Sequence, residues 1–297
     1  MRAEAANARS WLFAPGDSER KMEKAAASPA DIVLLDLEDA VAEQAKPKAR
    51  SLVAAFLSAH PAERARLWVR INPLRGPHAL GDLAAVMAGH PGGLMLPKAG
   101  SRADVEWLSH YLGALEVVYG IEQGSTAVIA LAIETAEAMF TMGGYAGAPR
   151  LAALSWGAED LAAAVGATAS RGADGSDSFT YELARSLCLL GAAAAGVAAI
   201  ETIHADFGDL SGLRKRAEAV RRAGFRGMLA IHPAQVPVIN EAFTPSAGEL
   251  ARAREIVALF AANPEAGAIG YHGAMLDRPH LARAQALLAP GARAPRL

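Results

Sequence analysis

Short apolar runs alternate with amphipathic, alanine-rich stretches along most of this chain. The runs fall at 11–13, 32–37, 67–71, 93–96, 128–133, 151–155, 198–203 and 227–231, and each predicts a β-strand. Between them apolar residues return at helical spacing, which predicts helices rather than disorder. Strands alternating with helices imply right-handed βαβ units and a parallel sheet. Near-continuous apolar strands suit a sheet buried on both faces. Eight such units predict an α/β fold of the closed (β/α)8 TIM-barrel type. An open doubly wound sheet is the competing arrangement, but it would bring a GxGxxG turn after an early strand. The chain has none.

Beyond the last strand the pattern predicts two helices separated by Pro245, with Ser246 and Glu249 forming a Ser-x-x-Glu capping box. A glycine-rich linker over 267–273 then leads to a final helix beginning near Asp277. The expected organisation is a barrel domain over 1–262 and a C-terminal helical extension over 263–297. That extension is surplus to closing a barrel, so it is free to act as a lid or to reach another subunit. The polar, glycine-rich loop 170–178 is the segment expected to be mobile, and Gly143-Gly144 reads as a helix stop.

With 297 residues, 52% of them apolar, the chain has the length and composition to bury a large core as one barrel. A net charge of -2 gives no electrostatic reason to expect nucleic acid or an acidic membrane. Cys188 is the sole cysteine, which rules out an intrachain disulfide, a thiolate zinc cluster and a CxxC redox pair. The first ten residues lack the apolar core of a signal peptide, and the apolar run 187–200 is too short and too rich in small residues to span a bilayer. A cytoplasmic protein without membrane or nucleic-acid partners is expected.

Polar residues gather where the strands end: Asp36, Glu38 and Asp39 after the second, Arg70 and Asn72 at the third, Lys98 at the fourth, Glu134 at the fifth. Trp156, Gly157 and Asp160 come after the sixth, Glu201, His204 and Asp206 after the seventh, and His232 after the eighth. A barrel places these ends around one mouth, the usual seat of its active site. Polar residues also simply mark where strands stop. Strand parity adds something, since alternate residues share a face: Trp68, Arg70 and Asn72 on one, Asp36 and Glu38 on another, Ala130, Ala132 and Glu134 on a third. If these faces point inward, several carboxylates and one guanidinium converge, and unpaired they would be costly. A metal ion together with Arg70 would neutralise them. Oxygen donors without cysteine or paired histidine favour Mg²⁺ or Mn²⁺ over zinc, and Glu134 with Asp160 is the candidate pair. The bland alternatives are a salt bridge for either acid, or a helix cap for Asp160. Trp156 reads as packing, Cys188 as core, and Lys21 and Lys24 as a solvated helix face rather than phosphate contacts.

At these positions the chain resembles a known family. RSWLFAPGDSERKMEKA, DIVLLDLEDAVAEQAKPKAR, LWVRINPL, GLMLPKAG, LAIETAEAM, LSWGAEDLAAAVG, LAIHPAQV and HGAMLDRPHLARAQ are similar to segments of citrate lyase beta subunits and stand-alone CoA-ester lyases, in the HpcH/HpaI aldolase group. They run in order over nearly the whole chain. The resemblance implies a TIM barrel assembled as a homotrimer or homohexamer, with metal held by Glu134 and Asp160. It implies that Arg70 grips the carboxylate of the substrate, and that Asp277 of MLDRP is an acid delivered from a neighbouring subunit for proton transfer at the acetyl methyl carbon. Around strand 7 this chain has Glu201-Thr202-Ile203-His204 where relatives often carry Asp-Thr-Val-Tyr, near their CoA arm. IHP with His232 is closer to the stand-alone lyases than to the INP of citrate lyase complexes, which weighs against an acyl-carrier-protein partner.

Residues and resemblance together predict a Mg²⁺-dependent lyase acting on a β-hydroxyacyl-CoA of the malyl or citramalyl type, with CoA present as part of the substrate. Asp36, Glu38 and Asp39 would orient Arg70 and the metal's waters. His232 is as readily a turn residue as a CoA contact. Asp277 before Pro279 also fits a plain helix N-cap, and one carboxylate can serve both roles. Two competing readings stand: a metal-dependent aldolase acting on free 2-oxo acids, for which the extension with Asp277 is unnecessary, and a non-catalytic CoA-binding subunit, against which Arg70, Glu134, Asp160 and Asp277 argue together.

Overall fold

The computed structural model describes residues 5–170, 172 and 176–289. Eight parallel strands close into a barrel in sequence order: β1 (Ser10–Pro15), β2 (Ile32–Asp36), β3 (Leu67–Arg70), β4 (Gly93–Leu96), β5 (Ala127–Ile133), β6 (Leu151–Trp156), β7 (Ala198–Glu201) and β8 (Gly227–Ala230). The predicted strands are therefore all present, and β8 pairs back onto β1. The connecting helices are α1 (Glu19–Ala26), α2 (Lys46–Ala59), α3 (Ala79–Val86), α4 (Arg102–Tyr119), α5 (Ala158–Val165), α6 (Phe179–Ala195), α7 (Leu210–Ala223) and α8 (Gln235–Ala242).

One connection departs from the expected alternation. Between β5 and β6 the described chain makes two short 3-10 turns, Glu137–Phe140 and Met142–Gly144, instead of an α-helix. Gly143-Gly144 thus closes a single turn rather than stopping a helix. The expected mobile loop 170–178 contains residues 171 and 173–175, which lie outside the described residues.

Every strand contributes to one core cluster inside the barrel, including Trp11, Ile32, Leu34, Trp68, Met95, Ile129, Leu131, Ala153, Ile200 and Leu229. Trp11 and Trp68 meet edge to face with ring centroids 5.2 Å apart. Beside Trp68, the register partner on β4 is Gly93, where a Cβ would collide with the indole. Only glycine leaves room for that ring.

The core also settles the parity of the inward faces. On β2 and β3 the inward residues Ile32, Leu34 and Trp68 lead in step to Asp36 and Arg70, as the alternation implies. On β5 the inward residues are Ile129 and Leu131, not Ala130 and Ala132. Glu134 does not share a face with them by simple alternation: the β5–β6 register shifts between Leu131 and Ile133. Such an irregularity re-aims the residues beyond it.

The chain forms two compact units, residues 1–240 and 241–297, with the division inside α8. In the second unit α9 (Ala247–Ala262) carries the capping box, with Ser246 and Glu249 satisfying each other's backbone N–H groups. The predicted glycine-rich linker is instead an antiparallel hairpin, β9 (Ala268–Tyr271) and β10 (Ala274–Asp277). His272 and Gly273 make its two-residue turn with φ of 47° and 77°, the left-handed pair that a tight hairpin needs. Leu276 packs with Ile256, Phe260 and Ala284 of α9 and of α10 (Arg278–Leu288) in a small core of its own. Among the described residues no helix is long and apolar enough to cross a membrane.

Candidate active site

Asp36 and Arg70 end neighbouring strands in register, so their side chains meet at the carboxyl-end mouth. The Arg70 Nε donates to Asp36 Oδ1 at 2.7 Å and Nη2 to Oδ2 at 2.6 Å. Nη1 lies 2.9 Å from Glu38 and 3.5 Å from Asp39. The underside of the guanidinium rests on the Phe13 ring, 4.6 Å from its centroid. Burial opposes the charge, yet Asp36, Glu38 and Asp39 hold the group above its ordinary pKa. All three acids thus contact the Arg70 guanidinium. Its side-on fork engages Asp36, and its Nη1 end is ion-paired with Glu38 and Asp39.

Behind this pair a second set of buried polar groups fixes the β2–β3 loops. Lys46 Nζ donates to the carbonyls of Leu37 and Glu38 and to Asn72 Oδ1, at 3.2, 2.9 and 2.7 Å. Asn72 Nδ2 donates to Asp82 at 2.7 Å. Sequence reasoning gave Lys46 and Asp82 no role.

Glu134 and Asp160 arrive from the far side of the mouth. Glu134 Oε2 accepts the main-chain N–H of Lys98 at 2.5 Å. Burial, then the charge of Glu38, push Glu134 up to about 8, against the pull of the Lys98 N–H. Burial likewise pushes Glu38 up to about 7, opposed by Arg70 and Lys98. Asp160 sits in the first turn of α5, whose N-cap is Gly157 and which has no side-chain cap, so of its two bland alternatives the cap is absent. The salt bridge is present, with Lys98 Nζ at 3.0 Å. Gly157 is the only residue type that fits between β6 and Glu134: a Cβ there would lie 2.8 Å from Oε1 and 2.9 Å from Cγ.

Lys98 is the group that sequence reasoning placed without a role. Its ammonium joins Asp160 to Glu38, 2.7 Å away. An excess of acids around one buried mouth was the signal that a second cation must stand among them.

Other candidates lie apart from this cluster. Glu201 accepts from Arg216 at 2.6 Å and from the Trp156 indole at 3.4 Å. Trp156 is fully buried and packs, as expected. Nearby is a cavity of ≈ 250 Å³ lined by Trp156, Asp177, Tyr181, Thr202, Asp206 and Arg216, among others. His232 stacks on Phe207 at 5.2 Å and accepts the N–H of Ala234, which is the turn role. Cys188 is buried, and burial pushes its thiol up. Lys21 and Lys24 face solvent. In the second unit Asp277 N-caps α10, and Nδ1 of His280 lies 2.5 Å from its Oδ1. That bond from His280 holds Asp277 below the ordinary carboxylate range.

Fold and mouth together define a (β/α)8 barrel with an acid cluster bridged by two cations at the ends of β2 to β6. The chain belongs to the HpcH/HpaI aldolase/citrate lyase family, whose model matches residues 9–233. It is 38% identical over 278 residues to a citrate lyase subunit beta-like protein of Mycobacterium tuberculosis, covering 94% of this chain and 93% of that one. It is 31% identical over 291 residues to the mitochondrial citramalyl-CoA lyase of Rattus norvegicus, covering 93% and 84%. Among solved structures, CitE from Mycobacterium tuberculosis in complex with magnesium, acetoacetate and coenzyme A superposes with a TM-score of 0.79 at 36% identity, over 96% of this chain and 98% of that one.

Proposed function

We propose that this protein is a magnesium-dependent lyase that cleaves a β-hydroxyacyl-CoA of the malyl-CoA or citramalyl-CoA type into acetyl-CoA and a 2-oxo acid. The observation that carries the reading is the mouth itself, where Arg70, the buried Glu134 and the partly exposed Asp160 sit within one charge network. The family includes a citramalyl-CoA lyase and a homologue crystallised with magnesium and coenzyme A. A panel of malyl-, citramalyl- and hydroxymethylglutaryl-CoA with Mg²⁺ tests it by acetyl-CoA release. Failure with all three, at a demonstrated native fold, rejects the reading.

The donor set fits a hard cation. Among the described residues no three His, Cys, Asp or Glu side chains form a ready metal cage. A two-carboxylate site is what magnesium uses when it keeps positions for water and substrate oxygens. Glu134 and Asp160 would hold it, and when bound it supplies a Lewis acid for the substrate's hydroxyl and carboxylate oxygens. Gly157→Ala is expected to displace Glu134 and weaken Mg²⁺ binding by roughly tenfold or more, the loss typical when support of a ligand is disturbed, read by titration calorimetry. Unchanged affinity would mean that Glu134 is not a ligand.

Arg70 would bind the substrate carboxylate at Nη1, in competition with the Glu38 and Asp39 carboxylates that this end now meets, aligning the scissile bond. Lysine keeps the charge, but it lacks the fork that grips Asp36 while a further N–H meets the ligand. Arg70→Lys is therefore expected to lower kcat/KM roughly a hundredfold, about 2.7 kcal/mol. Near-normal turnover would make Arg70 structural. Asp277 would transfer a proton to the acetyl methyl carbon on cleavage, or take one from it in the reverse direction. The working unit would be a homo-oligomer, a trimer or hexamer, in which Asp277 serves a neighbouring barrel.

A further inference from the structure

Lys98 holds a backbone conformation that side chains with a Cβ disfavour, with φ of 51°. Such residues persist where the surroundings over-determine them, and here the attachments are visible. The main-chain N–H is fixed by Glu134 at 2.5 Å. The ammonium lies 2.7 Å from Glu38, 3.0 Å from Asp160 and 3.9 Å from Asp39. Burial opposes its charge, but the bond to Glu38 raises its pKa above the ordinary lysine range. One residue therefore touches both carboxylates assigned to the cation, one through its backbone and the other through its side chain.

Those two contacts act in opposite directions on a divalent cation. The N–H leaves Glu134 aimed and one of its oxygens free. The ammonium occupies Asp160 and would stand a few ångströms from any cation held there, where like charges repel strongly in a half-buried mouth. We propose that Lys98 is a positioning residue that sets the cation affinity of the site: its ammonium competes with the metal for Asp160 and keeps the metal exchangeable, while its backbone orients Glu134. This rests on the reading of Glu134 and Asp160 as the ligands.

A scaffold residue, when removed, weakens a metal site; a competing ammonium, when removed, tightens it. The test is Mg²⁺ binding by titration calorimetry on the full-length protein without substrate, at fixed ionic strength. Lys98→Met is expected to bind Mg²⁺ at least about tenfold more tightly than wild type, and Lys98→Arg within about threefold of it, as expected from removing or keeping a nearby like charge. Lys98→Gly suits the left-handed backbone, keeps the N–H and removes the ammonium, so it should tighten binding even if the methionine variant folds poorly. Asp160→Asn should lose measurable binding. If it does while both neutral Lys98 variants bind Mg²⁺ no more tightly than wild type, the inference about Lys98 is wrong and the ligand assignment stands. If Asp160→Asn binds like wild type, the ligand assignment fails and takes the inference with it.

Discussion

Glu134→Gln is expected to abolish Mg²⁺-dependent turnover, by at least about a thousandfold, without unfolding the protein. The substitution is close to isosteric, and the amide oxygen still accepts the Lys98 N–H that the carboxylate accepts at 2.5 Å. It removes one negative charge from a mouth where Asp36, Glu38, Asp39 and Asp160 remain. What would be lost is the hard anionic ligand proposed for the cation. Lewis-acid stabilisation of developing charge is worth several kcal/mol, and each 1.36 kcal/mol is about a factor of ten in rate. The binding readout is independent of activity. Added Mg²⁺ should raise the melting temperature of wild type by mass action and leave that of Glu134→Gln unchanged. A variant that is still stabilised by Mg²⁺ to the wild-type extent would place the cation elsewhere.

How far this site could be read in advance depends on which physical rule places each residue. Asp36 and Arg70 sit on regular strands whose alternation continues unbroken from the core to the mouth, so parity alone brings them together. Glu134 is reached across a register shift between Leu131 and Ile133. Period-two counting from Ala130 and Ala132 therefore points to the wrong inward face, although the residue itself is found. Lys98 is hidden for a different reason. A lysine after an apolar strand looks like a strand end, and nothing local reveals the left-handed φ or the acids around its ammonium. The same limit applies to 268–277, where glycines suggest a flexible linker. Gly273 supplies a tight turn, and the residues flanking that turn pair as strands whose Leu276 closes a small core. The missing helix between β5 and β6 is likewise a matter of tertiary space, since a local pattern does not report what the neighbouring layer leaves room for.

Asp277→Asn is expected to keep the fold and Mg²⁺ binding yet lose roughly 10²–10⁴ of the rate, the usual worth of a general acid or base. The substitution separates the cap that this residue makes from the proton transfer proposed for it. As N-cap of α10, Asp277 accepts from the N–H of His280, and asparagine caps about as well as aspartate. Asp277→Ala should lose the cap too, at about 1 kcal/mol of stability, so only the alanine variant should melt lower. If the carboxyl group moves the methyl proton, the asparagine variant should bind the acyl-CoA normally but fail to exchange the acetyl methyl protons of acetyl-CoA with solvent deuterium. The proposed oligomer would add a second consequence. Mixed with Glu134→Gln, which has an intact Asp277 but an inactive barrel, Asp277→Asn should regain activity well above either protein alone. In a mixed assembly some intact barrels would meet an intact acid from a neighbour. Subunit exchange has to be verified first, by mass shift of differently tagged chains. Exchange without rescue, or a fully active monomer, would mean that Asp277 serves its own barrel, and normal proton exchange in the asparagine variant would remove it from the chemistry altogether.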